Sequence, residues 1–112
     1  MGQPAVPRVI LRMDFAVPPG TPPPGPERDA LLRPLAHSIA AHTPGLAWKI
    51  WTEDHAAGRA GGLYAFATRE DALAYRALHE ARVAARGASD IRVALWDINA
   101  ALSAVTRGVA GS

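Results

Sequence analysis

The 112-residue chain has no cysteine and a single lysine, Lys49. Without cysteine, disulfide staples, thiolate metal sites and thiol nucleophiles are all excluded. No apolar run approaches the ~20 residues that span a bilayer. The amino terminus lacks a basic region followed by an apolar core, so a cytoplasmic location and no membrane partner are expected. A phosphate-binding loop, a nucleophile elbow and a dinucleotide fingerprint are also missing, and the pair Gly61-Gly62 is too short a signal to stand for one. Lys and Arg total 12 against 10 Asp and Glu. The arginines are scattered among acids without stacking aromatics, which speaks against a nucleic-acid partner. No His/Asp/Glu grouping has ligand spacing on one face beyond coincidence, so no metal is expected.

What remains suits one compact domain. Hydrophobic residues make up 49% and charged residues 20%, enough apolar content to bury roughly two-thirds of the unfolded surface in one core. Residues 1–7 read as a flexible leader, 8–107 as the domain and 108–112 as a flexible tail. Arg8 to Val17 alternates apolar and polar residues as a strand does. The tract Pro18 to Pro26 lacks amide donors and has fixed φ, so it is neither helix nor inner strand. It reads as a semi-rigid surface loop or as a lid over a pocket mouth.

A first helix opens around Pro26-Glu27-Arg28-Asp29 and ends near His42, with an apolar stripe of Leu31, Leu32, Leu35, Ala36 and Ile39 and a Pro34 that either kinks it or marks its true first turn. Leu46 to Glu53 carries two tryptophans flanking Lys49 and reads as a strand. Alternation places Leu46, Trp48, Ile50 and Thr52 on one face and Ala47, Lys49, Trp51 and Glu53 on the other. Gly58 to Gly62 reads as a turn leading to a partner strand from Leu63 to Thr68. Thr68 caps a second helix from about Glu70 to Arg86 that stops at Gly87. Ile91 to Ile98 is the last strand, and Ala100 to Thr106 a short terminal helix.

The order βαββαβ is the ferredoxin-like plan of the α+β class: a four-stranded antiparallel sheet with two helices on one face. The other face would carry Ile10, one of Trp48 and Trp51, one of Phe66 and Leu63, and one of Trp96 and Leu95. So much bare apolar surface argues for a homodimer joined sheet to sheet.

Chemistry concentrates on the second helix, where Ala72, Tyr75, Leu78, His79, Arg82 and Val83 share an arc. An imidazole and a guanidinium on a core-facing arc need partners. Either His79 bonds a backbone carbonyl and Arg82 reaches the helix edge, or both line a small-molecule cavity with Tyr75. Lys49 would be a Schiff-base amine if desolvated, and otherwise bridges to Glu53. His37, His42 and His55 read as solvated or capping residues.

Several motifs agree in order and spacing with one family. Pro34-Leu35-Ala36, Pro44-Gly45-Leu46 with Trp48-Lys49 and Trp51-Thr52-Glu53, Ala60-Gly61-Gly62 with Tyr64 and Phe66, Ala74-Tyr75 with His79 and Arg82, and Asp97-Ile98-Asn99 with Leu102-Ser103 resemble the YdhR-type mono-oxygenases over about residues 8 to 107. The chief departure is the stiff prolyl loop. The resemblance implies a homodimeric α+β barrel related to enzymes that oxidise aromatic polyketides, anthrones and quinols with O2 and no flavin, metal or haem. It implies His79 as base, Arg82 or Lys49 as anion stabiliser, and Trp48, Trp51, Tyr64, Phe66 and Tyr75 as walls for a planar substrate. Alternation leaves open which tryptophan faces the cavity. Related barrels bind or degrade haem through a helix histidine, here His79, and others bind or cyclise small molecules without oxidation.

Overall fold

A computed structural model describes residues 5–108, so most of the expected leader and tail lies outside the described residues. Chain order is β1 (Val9–Ala16), α1 (Pro26–His42), β2 (Leu46–Asp54), β3 (Arg59–Phe66), α2 (Arg69–Ala85), β4 (Ser89–Asp97) and α3 (Ala100–Val105). The strands form one antiparallel sheet in the order β2-β3-β1-β4. This is the ferredoxin-like α+β arrangement the strand order implies.

The helix-facing side of the sheet holds the core. Val9, Leu11 and Met13 from β1 and Tyr64 and Phe66 from β3 pack against Ala72, Tyr75 and Val83 of α2, with Leu46, Ile91, Val93 and Leu95 closing the margins. Leu78, expected on the same arc of α2, is exposed instead. The buried stripe Ala72, Tyr75, His79, Val83 steps by three and four residues and leaves Leu78 one position off it.

Local signals explain the boundaries. The Thr68 hydroxyl accepts from the Asp71 amide at 3.0 Å to start α2. Its end is a Schellman arrangement: Gly87 has φ 99°, its amide donates to Ala84, and the Ala88 amide donates to Val83. Pro34 does not break α1, which runs unbroken from Pro26.

Gly61 and Gly62 lie inside β3, not in the turn expected for them. The hairpin turns at His55 to Gly58, where the Gly58 amide donates to His55. Gly61 is needed in the strand because a Cβ there would come within 2.0 Å of the Met13 carbonyl oxygen on the neighbouring β1.

A register shift between Leu46 and Trp48 settles the two tryptophans. This β-bulge places an extra residue at Ala47, so Leu46 faces α2 together with Lys49 and Trp51, while Trp48, opposite Ala65, faces away. The helix-free face therefore presents the cross-strand row Trp48, Ala65, Ile10 and Trp96, then Ile50 and Leu63. Helix α1 stands farther from the sheet than α2 does. The gap beneath it is the site.

Candidate functional site

A cavity of about 260 Å³ lies between α1, α2 and the helix-facing side of β2 and β3. Its floor is Tyr64 with Lys49 and Trp51. One wall is His79 and Val83 from α2 with Arg86 just past its end, and the other is Arg28, Leu32 and Leu35 from α1. Pro18, Thr21 and Pro22 also line it, so the prolyl tract borders the cavity. It is shaped for this by a tight turn in which Thr21 donates through both amide and hydroxyl to the Pro18 carbonyl, with Pro19 and a left-handed Gly20 (φ 83°) at its corners.

Of the residues expected at the site, the structure brings Lys49, Trp51, Tyr64 and His79 together on the cavity wall. Trp48 is on the opposite face of the sheet, removed by the bulge. Phe66 and Tyr75 are core residues behind the wall, their rings 5.6 Å apart, and Arg82 is also behind it, 6.0 Å from the Tyr75 ring. Arg28 is an addition. It is buried, and it falls on the stripe Arg28, Leu32, Leu35, Ile39, a spacing visible in the sequence but easily read as a charged first turn.

Lys49 reaches its position because of its neighbours. Its Nζ lies 3.3 Å from the centroid of the Trp51 ring and 4.8 Å from that of Tyr64. Gly62, opposite Trp51, leaves the space, since a Cβ there would press on Lys49 Cε and the Tyr64 ring. The expected bridge to Glu53 does not form, because four residues of strand separate the two by about 13 Å. Among the described residues Lys49 has no ion pair. Burial, and then the positive charge of Arg82, push its pKa down to about 7.

His79 is 3% exposed, stacked on Tyr75 at 5.0 Å and edge-on to Tyr64 at 5.8 Å. Burial first, and then Lys49, Arg82 and Arg86, push its pKa down to about 3, so the imidazole is neutral. Burial also pushes Tyr75 up to about 12 and raises Tyr64 further. Nδ1 of His79, the Tyr75 hydroxyl and one Nη of Arg82 are buried without a hydrogen-bond partner. Tyr64 and Arg82 both approach the Tyr75 hydroxyl, yet neither reaches hydrogen-bond geometry. Among the described residues no group of three His, Asp or Glu is placed to hold a metal ion, and no helix is long and apolar enough to cross a membrane.

A cavity with aromatic walls, a neutral imidazole, a desolvated amine and several cations, set between the helices and sheet of a ferredoxin-like α+β domain, is the candidate small-molecule site. More particularly, the chain belongs to the family described as "Putative mono-oxygenase ydhR", whose match runs over residues 10–109. A comparison with curated proteins finds no match.

Proposed function

We propose that the protein is a cofactor-independent mono-oxygenase acting on a small planar aromatic of the quinol, anthrone or polyketide type, and that it works as a homodimer. The observation that carries this reading is an aromatic-lined cavity holding an imidazole kept neutral by burial and the cations around it, and an amine whose ammonium form is disfavoured by burial and then by Arg82.

The chemistry makes a specific demand. Ground-state dioxygen is a triplet and reacts slowly with neutral closed-shell molecules, whereas an electron-rich aromatic anion can pass it one electron. The site must therefore take a proton from the substrate and offset the resulting charge. Between the two bases, Lys49 is the stronger, because burial first, and then Lys49, Arg82 and Arg86, disfavour an imidazolium at His79. The proposal assigns proton removal to Lys49 and a hydrogen bond to the substrate oxygen to His79. The ammonium formed on Lys49, with Arg82 behind it, then faces the substrate anion. For an anthrone-type methylene, one oxygen atom becomes the new carbonyl and the other leaves as water with the two methylene hydrogens. No external reductant is needed.

A haem ligand would have to present a ring nitrogen to a space wide enough for a macrocycle. The near-complete enclosure of His79 between two tyrosines does not favour that reading.

The test is oxygen uptake by the purified protein against anthrones, naphthols and hydroquinones, with chelator present and no flavin. Uptake matched by product, falling ~10²–10⁴-fold in Lys49→Met, is the expected result. Binding of the same compounds with no oxygen consumed would mark a non-oxidative binding protein or cyclase instead.

A further inference from the structure

The sole lysine of the chain has lost what normally keeps a lysine inert. It is not paired with an acid among the described residues, it is only partly exposed, and it lines the cavity of about 260 Å³ with its Nζ beside the Trp51 and Tyr64 rings. We propose that Lys49 is a nucleophilic amine that captures planar aromatic aldehydes and ketones as an imine, a covalent binding activity that does not depend on the oxygenase reading.

The surroundings suit each part of that step. The flat faces of Trp51 and Tyr64 flank Nζ and offer stacking surfaces to an aromatic ring whose carbonyl carbon would then lie beside the amine. In the reaction the nitrogen lone pair forms the C–N bond while the carbonyl π pair moves to oxygen. The two protons that nitrogen gives up, relayed through solvent or a neighbouring group, convert that oxygen to water, which departs as the C=N bond forms. Amine and carbonyl thus give imine and water, with no change of oxidation state. Neutral His79 on the same wall can relay the proton.

The groups that act on the amine come from every side. Burial and then Arg82 of α2 disfavour the ammonium, Arg86 and Arg28 border the same cavity and His79 faces it as a neutral ring, whereas the ring faces of Trp51 and Tyr64 favour the ammonium and Glu53 is the acid on its own strand. With burial included the balance is near even at neutral pH. On the order of a thousandfold more free amine is then present than an exposed lysine would offer.

Because the chain has one lysine, the test can be read on the wild-type protein. The intact protein is incubated with benzaldehyde and cyanoborohydride across pH 5 to 10, and the reduced adduct is located by peptide mass. The same reaction is run in guanidinium chloride, where Lys49 becomes an ordinary lysine. The expected result is a benzyl adduct on Lys49 that forms at least about a hundredfold faster at pH 7 in the native protein than in denaturant, with a pH midpoint near 7, and that Lys49→Arg abolishes while the α-amino group still reacts. Native labelling of Lys49 no faster than in denaturant, or a midpoint in the ordinary lysine range, would overturn the proposal. Oxygen uptake is measured separately, so failure of either reading leaves the other standing.

Discussion

Folding disfavours the charged forms of both Lys49 and His79, and this sets the protein's response to pH. Each has a lower pKa folded than unfolded: Lys49 falls from 10.5 to about 7 and His79 from 6.5 to about 3. Between those limits the unfolded chain binds more protons, so stability rises with pH, for His79 from about 3 to 6.5 and for Lys49 from about 7 to 10.5. Above pH 10 the raised tyrosines reverse the trend, because Tyr64 and Tyr75 then ionise first in the unfolded chain. Urea unfolding between pH 5 and 10 should show stability climbing, and Lys49→Met should flatten the limb above pH 7 while raising stability at pH 6 by up to ~4 kcal/mol. A wild-type curve level from pH 7 to 10 would mean the amine is not desolvated. At this scale the sequence was partly legible. That Lys49, Tyr64 and His79 matter follows from residue types on inward faces. Whether an amine ends over Trp51 or against Glu53 depends on which neighbour lies within reach, which required the pairing of Trp51 with Gly62.

The elements are legible in the sequence where period and caps agree, as in α2 with its Thr68 cap and Gly87 stop, and much less so where backbone contact between strands decides. Glycines at 61 and 62 suggest a turn to local reasoning, yet they serve close approach to β1 and room for Lys49. The bulge at Ala47 carries no residue signature, since neither glycine nor an odd apolar step marks it, and so Trp48 and Trp51 could not be assigned to faces by alternation. These two kinds of glycine separate experimentally. Gly61→Ala must displace the Met13 carbonyl and part the β1 and β3 pairing. It should lower stability by more than ~3 kcal/mol or prevent folding. Gly20→Ala meets nothing within 4 Å and is opposed only by its left-handed φ of 83°, so a loss of ~1–2 kcal/mol is expected. Denaturant midpoints of the two variants give the comparison, and similar losses would contradict the close-approach account of Gly61. Gly62→Ala should fold but crowd Lys49 and Tyr64, lowering affinity for any cavity ligand more than stability.

At the scale of the whole molecule, the helix-free sheet face is apolar at one end and ionic at the other. Trp48, Ile10, Trp96, Ile50 and Leu63 occupy the first, with Trp96 63% exposed. The second holds Asp14, to which the Arg59 Nε donates at 2.7 Å, and Asp90, which accepts from Arg59 and Arg92. Strand order alone made this face foreseeable, because two helices can cover only one side of four strands. Four strands about 4.8 Å apart and some eight residues long present roughly 500 Å² in projection, and the accessible area of their side chains is larger, within reach of the ~800 Å² per partner usual in a stable dimer. Helix α3, which follows β4 directly and leaves Leu102 66% and Val105 79% exposed, is the element with apolar surface to spare. The proposed dimer is thus expected to use the sheet face together with α3. Sedimentation at micromolar concentration should give twice the chain mass for the wild type, and both Trp96→Asp and the pair Leu102→Asp with Val105→Asp should move it towards the monomer with the circular dichroism unchanged. If the α3 pair leaves the dimer intact while Trp96→Asp splits it, the sheets alone suffice; a wild type that sediments as one subunit would leave Trp48 and Trp96 a bare apolar patch without a partner copy.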